Sequence, residues 1–257
     1  MIEIRPIVQS EGERFLHVLC DVFELDYYRA EGIFFTEPLF DLSRKWALFE
    51  NGEIVSILTT VPLEFGWGRA FGVAGVATLP NQRNRGLAAK LLNHVCEAGN
   101  QNGEGAALLF AKEPGVYARC AFETLDRTIR GTILGVPEER NPKILSGDEV
   151  RVLYDHWASQ DHNRLRRDER RWQYWRWNLR VCSAIPDGYL CLEGDTMREA
   201  ITPAARADWP VGRHSEWLGL ASMARNLGLP LEGVEPDLYF MGRNVPSLPQ
   251  MFLTDQF

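Results

Sequence analysis

The run Val76-Ala77-Thr78-Leu79-Pro80-Asn81-Gln82-Arg83-Asn84-Arg85-Gly86-Leu87-Ala88-Ala89-Lys90-Leu91-Leu92 constrains this chain most: an apolar strand enters a basic, glycine-containing turn that opens an amphipathic helix. Leu87, Leu91, Leu92 and Val95 recur at helical spacing, so one face packs on a sheet and leaves the first turn free. The leading N–H groups of a helix have no intrahelical acceptor, and the macrodipole makes that end partly positive. Gly86 lets a ligand approach the backbone, and Arg83 and Arg85 add charge. Such a turn suits a pyrophosphate. It is not a P-loop, because no Gly-Lys-Ser/Thr follows. Nor is it a dinucleotide fingerprint, which needs three glycines where this turn has one. An ordinary strand-turn-helix with a solvated basic turn is the competing reading, and the residues downstream weigh against it.

Ala106-Ala107-Leu108-Leu109-Phe110 reads as a short buried strand, followed by Lys112-Glu113-Pro114-Gly115-Val116-Tyr117-Ala118-Arg119-Cys120-Ala121-Phe122. Arg83-x-x-Gly86-x-Ala88 after a strand resembles the acyl-CoA-binding signature of the GNAT superfamily of N-acetyltransferases, and the second segment resembles that superfamily's next strand and Tyr-x-x-x-Gly-Phe-like turn. The resemblance implies acetyl-CoA as cosubstrate. The backbone of Val76, Ala77 and Thr78 would face the pantetheine arm. The turn Arg83, Asn84, Arg85, Gly86, Leu87, Ala88 and Ala89 would hold the pyrophosphate, with Lys112 and Glu113 as a further cofactor contact. Tyr117 falls at the position of the general acid. Ala121 stands where the family has glycine, so a different local backbone is expected there.

A length of 257 residues suits two domains, each with a sizeable core. No basic-then-apolar leader and no run of about eighteen apolar residues is present, so a cytoplasmic protein without a membrane segment is expected. The five cysteines have no metal-ligand spacing, which predicts reduced thiols, no disulfide and no metal. A formal charge of −7 argues against a general nucleic-acid binder.

Ile2–Pro6 reads as a strand and the stretch holding Phe15, Leu16, Leu19, Val22 and Phe23 as a helix; Asn51-Gly52 joins strands 46–50 and 53–58 in a hairpin. The order predicts a mixed α/β sheet over residues 1–135, then a linker over 136–144. In residues 145–257, helices are expected over 148–158, 168–179 and 214–227, a hairpin over 188–201 and a last strand over 237–242. This half has no basic glycine turn between strand and helix. The arrangement resembles the tandem-GNAT core of the enhanced-intracellular-survival (Eis)-type acetyltransferases, whose degenerate second half shapes the acceptor cleft, without their sterol-carrier-like third domain. The expected fold is therefore a tandem GNAT fold (α/β, α+β mixed sheet) with a degenerate second copy.

In that family a terminal aromatic residue lends its own α-carboxylate as general base, a role the resemblance gives to Phe257; a frayed tail is the alternative. Asp21, Glu24 and Asp26 lie among aromatic residues that would suit a cationic amine, but a solvated helix face is the plainer reading, and no site is assigned there. The seven arginines from Arg164 to Arg180, with Trp172 and Trp175, are read as a packed helix with a solvated basic face rather than an RNA surface. The function expected is acetyl-CoA-dependent N-acetylation of an amine acceptor, with a non-catalytic acyl-CoA sensor as the rival. Oligomeric state is left open, a homo-oligomer included.

Overall fold

The computed structural model describes residues 1–136, 142–212 and 214–257. In chain order the elements are β1 (Ile2–Pro6), α1 (Gly12–Phe23), α2 (Tyr27–Phe34), β2 (Lys45–Glu50), β3 (Glu53–Phe65), β4 (Gly68–Thr78), α3 (Leu87–Gln101), β5 (Ala106–Ala111), α4 (Gly115–Ala118) and β6 (Glu123–Ile133). The second half adds α5 (Gly147–Ser159), β7 (Leu165–Arg166), α6 (Glu169–Trp177), β8 (Val181–Ile185), β9 (Gly188–Glu193), β10 (Thr196–Ile201), β11 (Glu216–Leu220), α7 (Ala221–Leu227) and β12 (Leu231–Arg243). Among the described residues no helix is long and apolar enough to cross a membrane.

One mixed sheet carries both halves, in the order β1-β2-β3-β4-β5-β12-β6-β11-β10-β9-β8, with β7 paired to β3. The long final strand β12 lies antiparallel between β5, where Tyr239 faces Ala111, and β6, where Leu231 faces Ile133. A strand from the second half is thus hydrogen-bonded into the middle of the first. Helices cover both faces. On one side α1 and α2 set Phe15, Leu16 and Phe34 with Ala47, Ile57 and Ala77; on the other α3 sets Leu87, Leu91, Leu92 and Val95 with Val73 and Leu109. The largest core joins Leu63, Phe65 and Leu108 of the first half to Tyr154, Trp172 and Trp217 of the second.

The second half repeats the parallel strand pair of the first, as β10 beside β11, but no helix lies between these strands among the described residues. This second copy of the fold is degenerate: among the described residues it lacks, between its parallel strands, the helix that follows β4 in the first. The helix expected over 214–227 is corrected here. Glu216–Leu220 is strand β11, paired along its length with β6, and only Ala221–Leu227 is helical. A short run such as Trp217-Leu218-Gly219-Leu220 fits either periodicity, and the open edge of β6 decides it. The last strand likewise begins at Leu231 rather than at 237, because register shifts absorb the interruptions at Gly233 and Pro236. Of the expected linker, residues 137–141 lie outside the described residues; Val136 bridges to Pro210 and Ile144 to Ser183.

The arginine-rich segment departs from expectation too. Its basic face is only partly solvated, since Arg167 and Arg171 are buried. The Arg167 guanidinium donates from Nε to Asp255 Oδ1 at 2.9 Å and from Nη2 to Glu199 Oε2 at 2.6 Å, and stacks 3.7 Å from the Tyr154 ring centroid. Tyr189, Thr254 and Trp175 also donate to Glu199. Burial pushes the Glu199 carboxyl up, but the Arg167 charge and these hydrogen bonds outweigh it and leave it below the usual carboxylate range. Arg171 donates to the Asp255 carbonyl at 3.2 Å and to the Pro62 carbonyl on β3 at 2.8 Å. Residues 254–255 are thereby clamped between α6 and the sheet. Asp255→Asn, which leaves a buried guanidinium short of one counter-charge, should cost about 3–5 kcal/mol by urea unfolding. A loss below about 1 kcal/mol would show that the clamp adds little.

Candidate active site

Strands β4 and β5 run parallel only where Ala70–Val73 face Ala106–Leu109. Just beyond, β4 carries one extra residue against β3, its register stepping between Ala74 and Ala77, with Gly75 left-handed at φ +57°. Such a bulge bends its strand and strengthens the local twist. From Ala74 to Thr78 the β5-facing edge of β4 has no strand against it among the described residues, so its backbone is open to an extended, amide-bearing ligand.

From Thr78 the chain passes through a single 3-10 turn, Pro80–Gln82, into α3. Asn84 and Gly86 are left-handed, at φ +63° and +73°, and nothing lies within 4 Å of where a Gly86 side chain would start. The amides of Leu87, Ala88 and Ala89 lead the helix and have no intrahelical acceptor. Unpaired backbone donors at the positive end of a fifteen-residue helix suit an anion. The two arginines differ in what they are free to do. Arg85 is bidentate to Glu50 at the end of β2, at 2.7 and 2.8 Å, and also meets Gln82, so it fastens the turn to the sheet. Arg83 reaches the Thr78 carbonyl at 3.4 Å and is otherwise exposed. Lys112 and Glu113 lie exposed just past the end of β5.

Tyr117 sits in the short helix α4, half-buried, packed on the α3 side of the sheet, on which Val76 and Ala89 also pack. Burial, with a smaller contribution from Cys120, raises its phenol above the usual pKa near 10. The Tyr117 carbonyl accepts from the amides of Cys120 and Phe122 at 2.8 and 3.2 Å. Arg243 of β12 ties this turn to α3, donating to the Cys120 carbonyl at 3.2 Å and to Asn93 Oδ1 at 2.8 Å. Ala121 is left-handed at φ +61°, so it adopts the conformation that glycine favours.

Phe257 packs on the opposite face. Its ring lies 5.6 Å from that of Phe110 and covers Gly72, where a side-chain carbon would come within 2.4 Å of it. Gly72 belongs to the last paired stretch of β4, so Phe257 sits where the two strands part. The same residue lines a cavity of about 550 Å³ between α1, α2 and the sheet, with Thr59, Ala74 and Gly75 at the strands and Glu24, Asp26 and Arg29 from the helices. Val76–Thr78, the Arg83–Ala89 turn and Tyr117 thus gather around the open stretch of β4 and the α3 face, while Phe257 reaches the parting from the other side. Tyr117 does not line the cavity.

Residues 3–125 match an acetyltransferase (GNAT) domain. That segment runs from β1 into β6 and holds the open strand, the turn and Tyr117. The fold of the whole chain is similar to solved acetyltransferases. With a GCN5-related N-acetyltransferase from Kribbella flavida it shares 17% identity at a TM-score of 0.72, over 94% of this chain and 70% of that one. With one from Anabaena variabilis the values are 16%, 0.71, 95% and 72%. With Eis1 from Mycobacterium abscessus they are 16%, 0.63, 93% and 73%. No curated protein matches the chain in sequence. At these identities the similarity is one of fold, and the fold is tandem GNAT.

Sequence reasoning did not single out Gly72, Thr59, Arg243 or the Arg167–Asp255 clamp, whose roles depend on partners far along the chain. Glu24 and Asp26, expected on a solvated helix face, both line the cavity. The exposed Ala121 allows the strain in this turn to be measured. Ala121→Gly should stabilise the protein by about 0.5–1 kcal/mol in urea unfolding, the relief of left-handed strain exceeding the entropy lost. Destabilisation would mean that the alanine methyl is needed there.

Proposed function

We propose that this chain is an acetyl-CoA-dependent N-acetyltransferase that acetylates a primary amine, of a small molecule or an exposed protein amine, by direct attack within a ternary complex. The observation that carries the reading is the parting of β4 from β5 beside a helix N-terminus of open amides, with a cavity on the other face of the same parting. Cosubstrate and acceptor can then approach from opposite sides and meet in the gap.

In this reading the backbone of Val76–Thr78 pairs with the pantetheine arm. The amides of the turn Arg83–Ala89 hold the pyrophosphate, and Lys112 and Glu113 contact the cofactor at the rim. Orientation supplies most of the rate. The neutral amine attacks the thioester carbonyl, forming a C–N bond, and a β4 amide near Ala77 stabilises the negative oxygen. Collapse breaks the C–S bond, and the departing thiolate takes the phenol proton of Tyr117. A phenol pushed above its ordinary pKa stays protonated through the neutral range, as an acid must. The α-carboxylate of Phe257 takes the amine proton, directly or through water. An ordinary carboxyl terminus, with a pKa of about 3.5, is a weak base, so this step calls for a buried carboxylate or a relaying water. The tandem arrangement and the whole-length similarity to Eis1 support a place among the Eis-type acetyltransferases.

Tyr117→Phe should lower kcat by about a hundred-fold while calorimetry shows coenzyme A affinity retained. Unchanged turnover would remove the phenol from the mechanism. Gly86→Val, which forces a branched residue into a left-handed conformation at the open turn, should weaken coenzyme A binding. No binding heat from the unaltered protein would overturn the reading entirely. A protein extended by one residue after Phe257 should lose most of its turnover; full activity would exclude the α-carboxylate as the base.

A further inference from the structure

The cavity on the α1/α2 face is walled mainly by apolar side chains, among them Leu16, Leu19, Ile33, Phe34, Val61 and Tyr174. Its charged side chains nearly cancel: Glu24, Asp26 and Glu37 stand against Arg29 and Lys45, one carboxylate in excess, apart from the Phe257 α-carboxylate that the proposed reaction uses as its base. The members of this set are already engaged to different degrees. The buried Lys45 ammonium lies 3.5 Å from Glu37 Oε1 and 4.7 Å from the Phe34 ring centroid, so Glu37 is matched inside the cavity. Asp26 accepts from the Arg29 amide at 2.8 Å as the N-cap of α2. Among the described residues that leaves Glu24 as the side-chain carboxylate of the lining with no hydrogen-bond or ion-pair partner.

Two apolar side chains of the lining, Leu25 after α1 and Ile33 on α2, are about half exposed. They carry the apolar wall outward to the mouth, so an apolar body that follows the wall also removes them from water. A polyamine or an aminoglycoside would bring several ammonium groups against walls with about one carboxylate to meet them, and an unpaired buried charge is expensive. An alkyl or aryl body gains from the same walls, and a cavity of about 550 Å³ holds a molecule of ordinary metabolite or drug size.

We infer that the acceptor is a small primary amine with one cationic group on an alkyl or aryl body. The inference rests on the acetyl-transfer reading and names its substrate class. The amine leads towards Gly75 and Phe257 at the parted strands, and the apolar body trails along Val61, Phe34 and Ile33 to the mouth.

The test measures thiol release from acetyl-CoA with phenethylamine and hexylamine against spermidine and kanamycin, alongside calorimetric titration of each amine into the coenzyme A complex. The apolar monoamines should show kcat/KM at least about ten-fold above the polycations. Ile33→Asp, at a half-exposed position, should raise their KM about ten-fold with the KM for acetyl-CoA retained. Faster turnover of the polycations, or an unaltered KM in Ile33→Asp, would overturn the substrate class. Binding of the monoamines without thiol release from any amine would support the class and overturn acetyl transfer. Neither binding nor release would overturn both.

Discussion

Four paired residues on each strand, Ala70–Val73 and Ala106–Leu109, are all that hold β4 to β5, and everything proposed for this protein depends on the pairing ending there. A parallel pair that continued would have satisfied its own backbone and closed the sheet. The bulge at Gly75 instead turns β4 outward and leaves its inner edge without a neighbour. That gap can take an extended thioester as a substitute strand. In the proposed reading the gap is where a cosubstrate held at the α3 end on one face meets an acceptor in the cavity on the other.

A gap in a sheet is a weakness unless the strands around it are held from elsewhere, and the second half of the chain does this. Strand β12 pairs along β5 and reaches on to β6, while Arg243 at its end fastens the turn carrying Tyr117 to α3. On the opposite face the segment 252–257 runs under α6. There Arg167 and Arg171 neutralise Asp255 and Glu199 within a dry cluster, and Phe257 is delivered against Gly72. The buried charges need not add net stability relative to an apolar core. Their directional bonds fix where the tail goes. The second copy, with no helix between β10 and β11 among the described residues, thus braces the first.

The first half was the more legible in the sequence. The strand, the Gly86 turn and α3 follow from a local change of periodicity and from one residue able to be left-handed, and the Asn51-Gly52 hairpin follows from turn chemistry. In the second half the helices expected over 148–158 and 168–179 are found as α5 and α6, and the structure shows Ser146 and Asp168 as their N-caps. Glu216–Leu220 did not announce itself, because a short apolar run lies still only when a neighbouring strand offers it hydrogen bonds.

What the sequence determined by itself was what neighbours in the chain can enforce: the strand-turn-helix with its open amides, the position of Tyr117 after β5, and a mixed α/β chain whose second half has no such turn. Tertiary structure alone decided that Ala121 keeps a left-handed backbone despite its methyl group, that two arginines of a basic segment are buried, and that Phe257 meets Gly72. The reason is physical. Periodicity and turn propensity act over a few residues, whereas burying a charge or seating a ring depends on partners dozens to more than a hundred positions away, and only the completed sheet brings those together.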